Sequence, residues 1–302
     1  MYSCPLCYSS DVSEIESLKK NDLIYIYKKD FSMDISDIIK EHVEYLICRC
    51  CGLGFFYPLY FGSENFYNQL QKHEWYYSED KFEYTESCKY VKESQRVLEV
   101  GAGKGAFRRY LPNCEYTALE VSPKAKELGE AFGVSIINES VESHSIKREN
   151  YYDVVCSFQV LEHVPNIKSF LSSKISCLRP GGVMIVAVPT EDSFLSYAVN
   201  NALNLPPHHL SRWNKRSLEK IAKIFDLDVI DISTEPLQAV HKVWYLSVEI
   251  QKMFLRNRML DFSLVRNIVS KGSVLIAKIV NRFFDDDYFL NGHTVIAVFK
   301  KR

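Results

Sequence analysis

The chain has 302 residues, 47% of them hydrophobic and 25% charged, a composition that excludes disordered and fibrous proteins. Its 37 Lys and Arg residues nearly balance 38 Asp and Glu residues, and the net charge of −1 argues against a nonspecific nucleic-acid binder, which would carry a basic excess. No apolar run approaches the roughly 18 residues of a membrane span and no secretory signal opens the chain, so we expect a cytoplasmic protein.

Five of the nine cysteines fall within the first 51 residues. Two residues separate Cys4 from Cys7 and also Cys48 from Cys51, a spacing that lets two thiolates reach one ion from a tight turn. The sequence therefore predicts that these four cysteines hold a structural Zn²⁺. Cys50 is an alternative to Cys51. A redox Cys-x-x-Cys pair is an alternative to zinc, but nothing nearby resembles the thioredoxin-like unit that such a pair would open.

The first 94 residues divide into two predicted segments. Residues 1–60 form a zinc ribbon, in which the runs 23–27 and 44–48 are predicted to be short strands because they are rich in Ile, Leu and Tyr. Residues 61–94 are polar and aromatic with a mostly helical pattern. We interpret them as a linker to a larger domain at 95–302.

From residue 96 onward, apolar runs of strand length alternate with helical patterns. The predicted strands are 96–100, 116–121, 134–137, 152–158, 183–188, 228–232 and 294–299. The predicted helices are 104–111, 123–132, 166–178, 194–203 and 217–225. This alternation favours an α/β fold with a doubly wound parallel sheet, which binds ligands beyond the carboxyl ends of its strands.

A glycine-rich turn directly follows the first of these strands. Gly101, Gly103 and Gly105 let the backbone approach a ligand where a side chain would collide, and Glu120 ends the next strand, where a carboxylate can accept both hydroxyls of a ribose. Glu99 stands two residues before the first glycine, and a carboxylate buried at a strand tip needs a cationic partner. The α-amino group of S-adenosylmethionine is such a partner, whereas dinucleotide sites normally keep this strand apolar.

Together with these residues, the remaining motifs resemble the class I S-adenosylmethionine-dependent methyltransferases over roughly residues 95–232 and the final strand. The matching segments are 97–105, 118–120, 152–164 and 178–182. The resemblance implies a Rossmann-like, doubly wound sheet of seven strands whose last strand is antiparallel. The ribbon followed by this domain also resembles bacterial methyltransferases of sugar and polysaccharide pathways.

The resemblance also implies roles for individual residues. The methionine part of S-adenosylmethionine is expected at Glu99 and the glycine turn, the ribose at Glu120, and the sulfonium or methionine end near Gln159. Val121 and Val141 are predicted to border the adenine; as alternatives, both are plain core residues and Gln159 caps a helix. The turn residues in this prediction are Gly101, Ala102, Gly103 and Gly105.

Two adjacent histidines, His208 and His209, follow the fifth predicted strand in a proline-containing loop. An imidazole with an ordinary pKa of about 6.5 is a neutral base at pH 7, so one of the two is predicted to take the proton of a hydroxyl acceptor. The alternative is that one caps the next helix or packs on Trp213. His163 is interpreted as a structural residue. A second metal ion at the histidine pair is not expected, because no clustered carboxylates accompany it in the sequence.

Residues 233–292 are predicted to be a helical insertion before the last strand, with helices at 243–254 and 263–284. In a sheet with an antiparallel last strand this insertion leaves from the cofactor side, so we interpret it as a lid over the substrate. A dimer face and a peripheral membrane contact are alternatives, the latter because lysines and arginines are scattered through it.

The leading functional hypothesis is methyl transfer to a hydroxyl of a small molecule, namely a sugar or glycan precursor of surface polysaccharide. One alternative is an RNA methyltransferase whose ribbon binds nucleic acid, against which the balanced charge counts. A sugar C-methyltransferase is a second alternative, and a catalytically silent binding module is a third. The complete set of glycines with Glu99 and Glu120 counts against the silent module.

Overall fold

The computed structural model describes residues 2–73, 80–131, 133–283 and 290–302. Its strands are β1 (Val12–Leu18), β2 (Val43–Cys48), β3 (Gly54–Tyr57), β4 (Arg96–Val100), β5 (Glu115–Leu119), β6 (Ile136–Ile137), β7 (Tyr152–Phe158), β8 (Leu178–Pro189), β9 (Ser211–Arg212), β10 (Leu227–Pro236) and β11 (Asn291–Lys301). Its α-helices are α1 (Lys20–Phe31), α2 (Glu64–Leu70), α3 (Phe82–Cys88), α4 (Pro123–Ala131), α5 (Val141–Lys147), α6 (Ile167–Cys177), α7 (Lys215–Phe225), α8 (Lys242–Phe254) and α9 (Leu264–Val280).

The larger sheet has seven strands in the order β10-β11-β8-β7-β4-β5-β6. Strand β11 runs antiparallel to both of its neighbours, whereas β8, β7, β4, β5 and β6 pair in parallel. The predicted fold class is confirmed. The chain order reverses between β4 and β7, and this is where an open α/β sheet forms a crevice at the carboxyl ends of its strands.

Alternate residues of the central strands enter two different hydrophobic clusters, one on each face of this sheet. Val155, Met184 and Val186 pack with α6 and α7, while Val154 and Ile185 pack with Phe107 of the short 3₁₀ helix Ala106–Tyr110. Because both faces are covered, β8 has a continuous apolar run and not an alternating one.

The second sheet is antiparallel with the order β1-β2-β3-β9. Its fourth strand, β9, comes from the larger domain, begins two residues after His209, and pairs Gly54 with Arg212 and Phe55 with Ser211. Side chains that follow β9 hold the turn after β2: Asn214 Nδ2 donates to the carbonyl oxygen of Gly52 (2.7 Å) and Arg216 Nη2 to that of Arg49 (2.6 Å). The cysteine-rich segment is therefore hydrogen-bonded to the loop that carries the histidine pair.

Several predicted elements differ from the structure. The predicted strand 23–27 is wrong, because these residues lie in α1, where Leu23, Ile26 and Tyr27 are buried at helical spacing. The predicted helix 104–111 is a 3₁₀ helix, and 194–203 contains only the short 3₁₀ turns Phe194–Tyr197 and Ala202–Asn204. Residues 74–79 of the predicted linker and the predicted helix ends Phe132 and Phe284 lie outside the described residues.

Helices α8 and α9 lie between β10 and β11, as the predicted helical insertion requires. The inward face of α9 consists of small or polar side chains, Arg266, Ser273 and Ala277, whereas its exposed face is apolar. The exposed apolar residues of α9 and the turn after it are Leu264, Val265, Ile268, Leu275, Ile276, Ile279, Val280 and Phe283. Within the described residues, no helix is both long and apolar enough to cross a bilayer.

Candidate active site

A cavity of about 1060 Å³ lies at the carboxyl ends of the parallel strands. Its wall includes the turn after β4, the ends of β5 and β7, and Trp244 of the insertion. The segment 61–94 also contributes, through Tyr67, Lys81 and Tyr84. This participation of the predicted linker was not foreseen from the sequence, because aromatic and helical patterns alone do not say which surface a segment covers.

The three glycines after β4 all have positive φ angles, of 75°, 54° and 77° for Gly101, Gly103 and Gly105. A Cβ at Gly101 would lie 2.4 Å from Val160 Cγ2, and one at Gly105 would lie 2.7 Å from Val134 Cγ1. These two positions thus require glycine because of neighbouring protein atoms, in addition to any ligand. The backbone N–H of Gly103 donates to Glu120 Oε2 (3.1 Å), and Ala102, buried beside it, also borders the cavity.

Glu120 follows β5 and borders the cavity next to the glycine turn. Its second oxygen, Oε1, accepts the backbone N–H of Ser122 at 3.0 Å, so two N–H groups fix the carboxylate in place. Val121 is 67% exposed and is not a core residue, whereas Val141 is buried at the start of α5; both border the cavity. The carboxylate and the turn form a polar recess that fits the ribose and methionine parts of S-adenosylmethionine.

The carboxylate of Glu99 lies behind the cavity wall and not on it. Its side chain is buried, it accepts a hydrogen bond from the Tyr116 hydroxyl, and burial raises its pKa to about 8 despite that bond and the nearby Lys81. At neutral pH this geometry therefore favours the protonated acid. An ammonium group arriving close to Glu99 would lower the pKa again.

Gln159 follows β7 with a positive φ of 58° and borders the cavity. Its Nε2 donates to Glu83 Oε1 at 3.2 Å and contacts Thr294 Oγ1 at 3.4 Å. These partners come from α3 and β11 and not from the backbone of a helix terminus. The side chain therefore joins three separate elements at the cavity wall.

Three histidines meet at the cavity: His208 and His209 from the loop before β9, and His163 from the turn after β7. The ring centroid of His163 lies 4.4 Å from that of His208 and 4.9 Å from that of His209. The two loops are joined by the backbone N–H of Leu210, which donates to the carbonyl oxygen of Glu162 at 2.8 Å. Burial lowers the pKa of His163 to about 4 and those of His208 and His209 well below the ordinary value. All three rings are therefore neutral at pH 7.

Glu162 corrects one expectation drawn from the sequence. A carboxylate does accompany the histidine pair, because Glu162 is buried at the cavity with Oε1 3.7 Å from His163 Nε2. Burial raises the pKa of Glu162 to about 8. His163 and Glu162 were missed as partners of the pair because some 45 residues separate them along the chain. The available signal was that both loops follow parallel strands, whose carboxyl ends share one edge.

The four cysteines of the two close pairs come together near the N-terminus. Their sulfur atoms lie within 4.8 Å of one another, with 3.6 Å between Cys4 and Cys51 and 3.5 Å between Cys7 and Cys48. These separations are far longer than a disulfide and close to the roughly 3.8 Å between sulfurs around a tetrahedral Zn²⁺. Gly52 has a φ of 81° in the second turn, and Cys50 is exposed outside the group. The four thiols fit a structural zinc ion.

Residues 67–232, more than half of the chain, match the family described as "Methyltransferase domain". A ubiquinone biosynthesis O-methyltransferase from Agrobacterium fabrum is 25% identical over 183 residues, which cover 55% of this chain and 73% of that protein. One from Proteus mirabilis is 30% identical over 96 residues, or 29% of this chain and 39% of that protein. The four clustered cysteines precede the family match.

Among solved structures, a possible histamine N-methyltransferase from Thermotoga maritima is 15% identical, with a TM-score of 0.49. The similarity covers 79% of this chain and 97% of that one. A SAM-dependent methyltransferase from Archaeoglobus fulgidus is 17% identical, covers 80% of this chain and 95% of that one, and has a TM-score of 0.48.

Proposed function

This chain belongs to the methyltransferase-domain family and is an S-adenosylmethionine-dependent methyltransferase, and on that basis we propose that it methylates a hydroxyl oxygen of a small molecule. The observation that carries the proposal is the shared cavity, in which a recess suited to the methyl donor and three neutral imidazoles lie together. The O-methyltransferase names of the relatives favour the same class of acceptor atom.

When bound, S-adenosylmethionine supplies a methyl group on a sulfonium sulfur. That methyl group would go to the acceptor oxygen, and the proton of the hydroxyl would go to an unprotonated Nε2 of the histidine cluster. Gly103 and Glu120 hold the donor in this proposal, and the histidine cluster faces the acceptor. Each ring of the cluster is neutral and can accept that proton, a role that typically contributes ~10²–10⁴ in rate.

For the acceptor we propose a sugar or glycan precursor, on the strength of the cysteine ribbon that precedes the domain. A phenolic acceptor is the second candidate, since Tyr67, Tyr84, Phe158 and Phe170 border the cavity and the relatives are named for ubiquinone biosynthesis. Aromatic walls suit the flat face of a phenol and also the apolar face of a sugar ring. An RNA acceptor is disfavoured by the net charge of −1.

The decisive measurement is transfer of tritiated methyl from S-adenosylmethionine to sugar nucleotides, cell-envelope extracts and simple phenols. We expect Gly103→Arg to abolish both transfer and calorimetric binding of S-adenosylhomocysteine, because the arginine fills the recess. Gly181→Arg is the matched control: that glycine also has a positive φ, of 77°, but a Cβ there meets no atom within 4 Å. Transfer that survives in Gly103→Arg would contradict the proposed donor site.

We also propose that the exposed face of α9 lies on an anionic membrane surface, which brings a lipid-linked acceptor within reach. Helix α9 contains no Asp or Glu, and the exposed Lys271, Lys278 and Arg282 border its apolar face. Basic residues beside an exposed apolar stripe are typical of helices that lie in a membrane interface.

A further inference from the structure

The histidine cluster has the hydrogen-bonding pattern of metal ligands. His163 Nδ1 lies 2.6 Å from the carbonyl oxygen of His208, and His208 Nδ1 lies 2.8 Å from that of Leu203. His209 Nδ1 lies 2.9 Å from the side-chain oxygen of Asn204. Because these oxygens only accept, each Nδ1 is the protonated nitrogen and each neutral ring keeps its lone pair on Nε2. Metal-bound histidines are normally oriented in this way by a carbonyl or carboxylate on the other nitrogen.

The rings lie near enough to one another to share one ion after a small closure. One nitrogen of each ring lies within 4.8 Å of one nitrogen of both others. Zinc held by imidazoles at about 2.0–2.1 Å keeps the nitrogens about 3.3 Å apart, so the rings have to approach one another by at most about 1.5 Å. Two of the three ligands stand in adjacent positions of one loop, and the third lies on a loop hydrogen-bonded to it, which makes a small concerted closure feasible.

Glu162 adds a second, independent observation. Glu162 is 1% exposed, and neither of its carboxylate oxygens accepts a hydrogen bond from another described residue. Its Oε1 lies 3.7 Å from Nε2 of His163, the nitrogen that carries the lone pair. A buried carboxylate in such surroundings is costly unless it is protonated or a cation is near.

We propose that His163, His208 and His209 bind a divalent transition-metal ion, with Zn²⁺ the best match, and that Glu162 lies beside it as a compensating negative charge. Imidazole donors favour Zn²⁺ and its transition-metal neighbours over Mg²⁺ or Ca²⁺, which prefer oxygen. Three protein ligands leave a coordination position, and all four residues border the cavity.

The consequence for catalysis rests on the proposed function. A hydroxyl that coordinates such an ion would lose its proton more readily, and the Glu162 carboxylate beside the ion would take that proton up. In that case His208 and His209 act as ligands, and neither is the general base that the sequence predicted. The binding of the ion itself does not depend on which acceptor the enzyme uses.

The test is metal stoichiometry of the full-length protein, measured by elemental analysis and by titration of the metal-free protein with Zn²⁺ and with Co²⁺, without donor or acceptor. We expect two equivalents in the wild type, one at the cysteines and one at the histidines. His208→Asn should bind one equivalent, because asparagine can still donate to the Leu203 carbonyl but has no atom in place of Nε2. In the Co²⁺-substituted protein, the same substitution should remove the d–d absorption of the histidine site, which has no accompanying thiolate-to-cobalt charge-transfer band.

His144→Asn is the control, because His144 is also buried but is hydrogen-bonded to Glu139 and Tyr152 through both nitrogens, away from the cluster. It should keep both equivalents. If His208→Asn does not fold, His163→Asn replaces it, since the His163 side chain is 19% exposed. A wild type that binds a single equivalent, or an asparagine variant that binds two, overturns the proposal. Loss of methyl transfer alone would not, because it would bear on the proposed function instead.

Discussion

Burial gives Glu99 a protonation state that differs from that of an exposed carboxyl group. Its pKa is raised to about 8 by desolvation, against an ordinary value near 4.3 in the unfolded chain. The stabilising contribution of the neutral acid is complete below the unfolded pKa and is lost as the pH rises through the folded one. Between those limits each pKa unit corresponds to about 1.4 kcal/mol.

We therefore expect Glu99→Gln to become more stable relative to the wild type as the pH rises from 5 to 8. Glutamine keeps the size of the side chain and cannot ionise, and other buried groups such as Glu162 and His163 cancel in the comparison. Urea unfolding at several pH values measures the difference, and the exposed Glu115→Gln serves as control. A difference that stays constant with pH would show that Glu99 does not titrate in this range.

The site residues differ in how far the sequence could predict them. Glu120 and the glycines were predictable because they follow consecutive strands at fixed spacing, and the structure joins Gly103 to Glu120 by a hydrogen bond. The partnership of His163 and Glu162 with His208 was not, because it depends on how two distant loops meet. Whether the predicted residues bind S-adenosylmethionine stays a prediction that the variants above test.

At the scale of elements, the buried strands were the easiest to predict and the N-terminal segment the hardest. Strands β4, β7 and β8 are covered on both faces, and the apolar runs at 97–98, 154–156 and 183–188 identify them. The run Leu23–Tyr27 has strand-forming residues but packs as a helix, because tertiary contacts of Leu23, Ile26 and Tyr27 decide over local propensity. The outward apolar face of α9 is the opposite of what helical amphipathicity in an isolated domain predicts.

The exposed apolar face of α9 leads to a prediction for the double variant Leu275→Glu/Ile279→Glu. We expect the wild type to sediment with vesicles that contain phosphatidylglycerol, less so at high salt and with neutral vesicles, and the double variant to lose this binding at least tenfold. Two carboxylates on an apolar face that enters the lipid interface carry a large desolvation cost. Ile137→Glu/Ile146→Glu, at exposed apolar residues elsewhere, should bind like the wild type. The membrane proposal would be contradicted if the wild type did not bind vesicles but formed dimers that the Leu275→Glu/Ile279→Glu variant dissociates.

In the molecule as a whole, hydrogen bonds and strand pairing connect the cysteine cluster to the histidine loop. Asn214 and Arg216 donate hydrogen bonds to main-chain oxygens of the turn that carries Cys48 and Cys51. Strand β9 completes the N-terminal sheet within a few residues of His209. The glycine turn and Glu120 lie on the central strands of the larger sheet. Disturbing the cysteines should therefore affect the acceptor side of the cavity more than the donor side.

Cys7→Ser tests this separation. We expect it to lower zinc content and to reduce the rate of methyl transfer by about 10²-fold, the typical cost of displacing a catalytic group by an ångström. The affinity for S-adenosylhomocysteine should change by less than about threefold, as calorimetry can measure. The exposed Cys50→Ser, next to the cluster but outside it, should leave all three unchanged. Equal losses of donor binding and transfer would instead indicate general unfolding.

Two side chains, Tyr27 and Arg216, donate hydrogen bonds between the N-terminal segment and the larger domain to main-chain oxygens only. This pattern determines which of the bonded residues can change during evolution. Tyr27 donates to the main-chain oxygens of Ala202 and Leu205, and Arg216 to those of Arg49 and Cys50. Since these four acceptors are main chain, the residues that provide them can vary in identity, whereas replacing Tyr27 or Arg216 removes these hydrogen bonds. We therefore expect related sequences to preserve the tyrosine and the arginine, while the residues whose main-chain oxygens accept these bonds differ.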